Sequence, residues 1–260
     1  VKVMRMANRT LGGLLLAFQF FSSIPVHKEI SMKKPQVTAM YSLLPMVGLV
    51  IGAMASAVIW LMQETDIGPL MIAFLLASLL CAITGGLHLD GLADTGDAYF
   101  SYQNKTKRLE IMGDPRIGAF GAMVLIFAIA GKIILLAELI STISLFALAM
   151  VPVISRIGLS VLSATAKPAK TDGLAAYFQR LMDRRTILSA MIAWSLIVLA
   201  TLFIFCGWAV ALGFSAVATI ATLAYKKWCD KNFGGVTGDL LGAYVEGMEL
   251  LLWGMLLFFV

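Results

Sequence analysis

Apolar runs too long for any soluble core constrain this chain before anything else does. Val37 to Met62 contains no charged residue, and a helix needs about 20 apolar residues to cross a hydrocarbon layer roughly 30 Å thick. Comparable runs recur at 69–89, 117–137, 143–164, 187–206, 208–225 and 240–260. Backbone in lipid must satisfy its own hydrogen bonds, so each run is predicted to be a helix. Overall, 60% of the 260 residues are hydrophobic and 13% charged, against about 45–50% and 25% in soluble domains. The expected fold is therefore all-α: a polytopic integral membrane bundle of about seven transmembrane helices, forming one membrane-embedded domain over residues 1–260.

An eighth apolar stretch, Leu11 to Phe21, is too short to span. Basic residues precede it, but Ser22-Ser23-Ile24-Pro25 is no small-residue cleavage site. An interfacial or re-entrant helix ending at Pro25 is expected, rather than a cleaved leader.

Loop charge orients the bundle. Of the 20 Lys and Arg, only Lys132 and Arg156 lie inside apolar runs; the other 18 fall in the N-terminal segment and in alternate loops. The intervening loops at 63–68, 138–142 and Gly207 carry none. The positive-inside rule then places the N-terminus and the long loops in the cytoplasm and the C-terminus outside, in a cell inner membrane. The net charge of +5 matches cationic loops beside anionic lipid and gives no case for nucleic acid. The three cysteines form no CxxC pair. No repeat or low-complexity tract is evident, and a homo-oligomer is compatible with the sequence.

The cytoplasmic loops hold most of the acids. Asp90, Asp94 and Asp97 stand at i, i+4 and i+7 among Gly85, Gly86, Gly91 and Gly96, which places three carboxylates on one helix face. Such a face is either a solvated acidic turn or a site for a hard divalent cation such as Mg²⁺. Membrane depth favours the second. Asp114 and Glu110 are candidates to complete the shell. Arg116 supplies a fork suited to a phosphate oxygen. With Gly118 at the start of the next span it makes an expected anion site; the plainer reading is a positive-inside cap. His88 is a candidate to orient a carboxylate or take a proton, or simply a structural hydrogen-bond partner. Between the last two spans, Gly234-Gly235-Val236-Thr237-Gly238-Asp239 is a capped turn, or a loop over substrate. Carboxylates, arginine and glycine together describe phosphoryl transfer. No G-x-S-x-G or Cys/His pair points to acyl transfer.

Three stretches, GGLHLDGLADTGDAYFS, RLEIMGDPRIGAFGA and GGVTGDLLGAYVE, together with an early FQFFSSIPV, resemble the cobalamin synthase (adenosylcobinamide-GDP ribazoletransferase) family. The resemblance runs in order from about residue 18 to 246. It implies a Mg²⁺-dependent membrane transferase that joins adenosylcobinamide-GDP to α-ribazole, or its 5′-phosphate, with release of GMP late in vitamin B12 synthesis. Mapped onto this chain, it implies Asp90, Asp94, Asp97 and Asp114 as metal ligands. Asp94, Asp97, His88 and Arg116 are the expected catalytic residues. Arg116, Lys105, Gly118, Thr237 and Asp239 are the expected substrate contacts. Here Ala98-Tyr99-Phe100-Ser101 follows the aspartates where the family is often more polar, which bears on substrate fit.

Two other readings compete. A CDP-alcohol phosphotransferase also has a membrane aspartate cluster, but in its Asp-Gly-x-x-Ala-Arg pattern Thr95 stands where the arginine belongs and Asp94 where the alanine belongs, and its later Asp spacing is absent. A cation-coupled transporter could use Lys132, Arg156, Glu246 and Glu249 in its spans, but no duplicated halves are apparent.

Overall fold

The computed structural model describes residues 2–259. The side chains of residues 2–8, including Lys2 and Arg5 of the inward charge, and all of Val260, at the end of the last expected span, lie outside the described residues.

Among the described residues eleven helices follow one another: α1 (Lys2–Phe21), α2 (Lys34–Met62), α3 (Pro69–Thr84), α4 (Leu87–Phe100), α5 (Lys105–Ile111), α6 (Ala119–Leu139), α7 (Leu145–Thr165), α8 (Leu174–Leu181), α9 (Arg184–Cys206), α10 (Trp208–Asn232) and α11 (Gly238–Leu256). No named strand occurs among the described residues. By length and composition, α2, α6, α7, α9 and α10 can each cross a membrane, and α3 with α4 makes a sixth crossing if the bent pair counts as one. The fold class is thus a polytopic membrane bundle. The seventh expected span, α11, has 19 residues, roughly 28 Å at 1.5 Å each. It is not among the helices that qualify by length and composition, and it carries three acids, Asp239, Glu246 and Glu249.

The bundle packs as lipid-embedded helices do. α2 and α7 form its centre. Hydrogen bonds stitch neighbours together: Ser160 Oγ donates to the Tyr41 carbonyl at 3.0 Å and Trp194 Nε1 to the Ser42 carbonyl at 3.1 Å. Without a hydrophobic drive between helices in lipid, such bonds and close packing carry association. α9 and α10 turn large apolar side chains outward, among them Ile204, Trp208 and Ile220, as a lipid-facing surface should.

Two expectations change. The run 69–89 is not one straight span. Gly85 and Gly86 both adopt left-handed backbone, φ 62° and 74°, which costs other residues dearly. Their N–H groups close α3 onto the carbonyls of Ala82 and Cys81, and α4 departs at 91°. α4 is therefore a separate acidic helix outside the five spans. The N-terminal apolar segment belongs to a longer helix, α1, which ends at Phe21, four residues short of Pro25. It packs along α2.

The four charges expected inside spans are paired. Lys132 Nζ lies 2.7 Å from Glu246 Oε2, and Arg156 binds Glu249, which also accepts from Ser155 Oγ. All four are buried. They join α6 and α7 to α11 and present no open pathway of free charges.

Candidate active site

α4 is the site's frame, and its composition explains its position. Gly91 faces α11 so closely that a Cβ there would stand 2.7 Å from the Asp239 carbonyl oxygen. On the other helix, a Cβ on Gly242 would stand 3.2 Å from the Cα of His88. Glycine on both sides lets the two backbones touch. This contact brings Asp239, in the first turn of α11, beside the acidic face of α4. Thr237 fixes that turn as the N-cap, accepting the Leu240 N–H at 3.2 Å, and its hydroxyl reaches Met112 Sδ at 3.2 Å.

The three aspartates of α4 have different surroundings. Asp97 is engaged: its two oxygens accept the N–H groups of Gly118 at 2.7 Å and Gly121 at 2.8 Å. The N-terminus of α6, expected to bind a substrate anion through Gly118, thus binds a carboxylate from within the chain. Its unsatisfied N–H groups and dipole favour an anion, and Asp97 is the one within reach. The carboxylates of Asp90 and Asp94 make no hydrogen bond or ion pair among the described residues. Asp90 is exposed and Asp94 half-buried. Burial first, then the charges of Asp90, Asp239 and Asp97, push the Asp94 carboxyl up to about 6.

Asp114 is engaged within its own loop. Its oxygens hold the Arg116 guanidinium in a fork, Nε–Oδ1 2.9 Å and Nη2–Oδ2 2.7 Å. That hydrogen bonding pulls the Asp114 carboxyl down to about 2. The Arg116 side chain is 85% exposed. Of the four expected metal ligands, Asp97 thus accepts from α6 and Asp114 from Arg116, while the carboxylates of Asp90 and Asp94 have no such partner among the described residues. Lys105 Nζ donates to the Asp230 carbonyl at 3.2 Å, pinning α5 to the end of α10. His88 is buried, and its Nε2 has no partner.

Some contributors carry little sequence signal. Burial raises the proton affinity of the Asp239 carboxyl, and the charge of Lys170 works against that rise. Lys170 is held in place by a bridge between residues 167–169 and Val236, a long-range pairing that no local pattern announces. Arg108 lies over the Tyr99 ring at 5.1 Å and donates to Asn232 Oδ1 at 3.0 Å. Only its place in the basic loop marked it.

Among the described residues no three His, Cys, Asp or Glu side chains converge tightly enough to hold a metal ion unaided. The donor chemistry still suits Mg²⁺. That ion binds through one or two carboxylates and keeps water or substrate phosphates for its other positions, and Asp90 and Asp94 are two carboxylates without other partners.

Fold and acids together define a class: a polytopic α-helical membrane protein whose polar site gathers at helix ends, with free carboxylates inside and cations around them. The family model for cobalamin-5-phosphate synthase matches residues 13–257. Proteins named adenosylcobinamide-GDP ribazoletransferase resemble the chain along nearly its whole length. The one from Geobacillus kaustophilus is 36% identical over 248 residues, 94% of each chain. That from Geobacillus thermodenitrificans is 37% identical over 94% of each. That from Clostridium botulinum strain Okra is 36% identical over 92% of this chain and 95% of its own. No solved structure matches. The chain belongs to the cobalamin-5-phosphate synthase family and is a transferase of cobalamin synthesis.

Proposed function

We propose that this transferase joins adenosylcobinamide-GDP to α-ribazole, or its 5′-phosphate, with release of GMP, and that it requires Mg²⁺. The observation that carries the reading is the pair of unpartnered carboxylates, Asp90 and Asp94, set against Asp239 in a chain similar to ribazoletransferases. Free acids crowded together favour a cation, and a diphosphate substrate brings the anions that complete its shell.

A ribose hydroxyl of the acceptor attacks the phosphorus bonded to the cobinamide arm. An O–P bond forms there, and the bond from that phosphorus to GMP breaks. Asp90 and Asp94 hold Mg²⁺, which neutralises phosphate charge when bound. Asp239, on the other side of the group, receives the hydroxyl proton. Asp97 acts by locking α4 to α6 so that Asp94 stays in place. Lys170, Lys105 and Arg116 supply positive charge around the diphosphate, and His88 contacts the acceptor. The loops that carry these groups face the cytoplasm in this reading, because they hold the chain's cations.

The test is turnover by the full chain in lipid, given adenosylcobinamide-GDP and α-ribazole, with GMP and the corrinoid product measured together. Equal amounts of both, dependent on Mg²⁺, are expected. No product from folded protein contradicts the reading. CMP release from a CDP-alcohol would move it to the rival phosphotransferase class.

A further inference from the structure

A cavity of about 180 Å³ opens beside Asp90 and Asp239, between α1, α2, α4, α7, α8 and α11. Four aromatic rings wall it: Phe20, Phe21, Tyr41 and Phe178. They brace one another edge to face, Phe20 on Phe178 at 5.2 Å and Tyr41 on Phe178 at 6.1 Å. Edge-to-face pairs are favourable and leave rigid apolar walls. His88 also lines the cavity, its ring 6.5 Å from Phe21. Its side chain is 2% exposed, and Nε2 has no hydrogen-bond partner. A buried ring nitrogen left unpaired costs free energy that a ligand acceptor or donor would recover.

Size and chemistry select the occupant. A corrin ring with its arms is several times too large for this space. Guanine is small enough, but its edge carries several donors and acceptors that aromatic walls would strand. The base of α-ribazole is a planar, dimethylated benzimidazole with one free ring nitrogen. We infer that the cavity seats the acceptor's base among Phe20, Phe21, Tyr41 and Phe178, with its free nitrogen accepting a hydrogen bond from His88 Nε2. The ribose then lies at the end marked by Asp90 and Asp239, beside the proposed metal. This assignment rests on the proposed transferase reading for the acceptor's identity.

Calorimetric binding of α-ribazole to the full chain in lipid nanodiscs tests it, with adenosylcobinamide-GDP as the reference ligand. Phe178→Trp, which fills the cavity, weakens α-ribazole about tenfold or more, on the scale of hydrophobic-pocket discrimination. Phe178→Leu weakens it less, and the reference ligand is unchanged in both. His88→Gln erases the preference for α-ribazole over an analogue with carbon in place of the free ring nitrogen. Phe178→Leu carries the test if the larger residue prevents folding. The assignment is overturned by wild-type protein that does not bind α-ribazole. It is equally overturned by Phe178 variants that bind it normally, or that lose both ligands alike at an unchanged melting temperature. Wild-type binding and variant losses without GMP release would keep the pocket and refute the transferase reading.

Discussion

Two acidic regions on and beside α11 contain the same chemistry arranged in opposite ways. Deep in the bundle, Glu246 and Glu249 each face a cation, Lys132 and Arg156, and all four are buried. At the helix N-terminus, Asp239 meets Asp90 and Asp94, which have no cation or donor of their own. A buried pair that is complete holds helices in register. An incomplete group of like charges costs stability and is explained by what it binds. The contrast separates structural from functional acids in a chain where both lie in or near the membrane.

Breaking a buried pair should give the largest effect. Glu249→Gln leaves the Arg156 guanidinium buried and uncompensated, at a cost of about 3–5 kcal/mol. Thermal unfolding in lipid should show this loss, and the double change Arg156→Met with Glu249→Leu should recover most of it. A single variant as stable as the wild type would remove the structural half of the contrast.

Asp94→Asn should do the reverse. Catalytic efficiency falls by about 10²–10³-fold, the scale for removing one key electrostatic group, while the fold is spared. Because the neighbours of Asp94 disfavour its charge, the variant at pH 8 should melt at the wild-type temperature or a few degrees above it, roughly 2–4 °C at most.

The pH dependence sharpens the same point. Asp94 titrates at about 6, raised from the ordinary carboxylate value by burial and by like charges. A raised acid is charged above that pH and protonated below it. Activity at limiting Mg²⁺ should therefore hold above pH 6 and fall about tenfold per unit below it. Stability without metal follows the opposite sign: the penalty from Asp94 is present above pH 6 and fades as pH falls towards 4. A rate profile flat from pH 8 to 5 would exclude ionised Asp94 from the reaction.

Arg116→Ala should be mildest. Its fork to Asp114 is exposed, and such pairs are screened by water. Melting should not move measurably, and any change should appear in the KM for adenosylcobinamide-GDP rather than in kcat.

Hydropathy made the bundle legible. The helices α2, α6, α7 and α9 lie within a few residues of their expected runs, and α10 starts where expected but runs seven residues further, to Asn232, because a lipid-crossing helix must be long and apolar whatever its neighbours. The bend after α3 was hidden by a continuous apolar run, although the Gly85-Gly86 pair was its signal. Helical spacing placed Asp90, Asp94 and Asp97 on α4, but spacing cannot tell which carboxylate another helix will claim. Asp97 went to α6 through contacts more than 20 residues away in sequence. The aromatic cavity was the least legible part. Phe20, Tyr41 and Phe178 come from three separate helices, and each alone reads as an ordinary core residue.

Direct binding of Mg²⁺ together with adenosylcobinamide-GDP, in wild type and Asp94→Asn of equal thermal stability, tests the central claim most closely. The wild type should retain substrate and metal together, and the variant, though folded, should lose the metal-dependent part of that binding and release GMP at least about 10²-fold more slowly. A folded variant that binds Mg²⁺ and releases GMP at the wild-type rate would show that the unpaired acids of α4 are not the site.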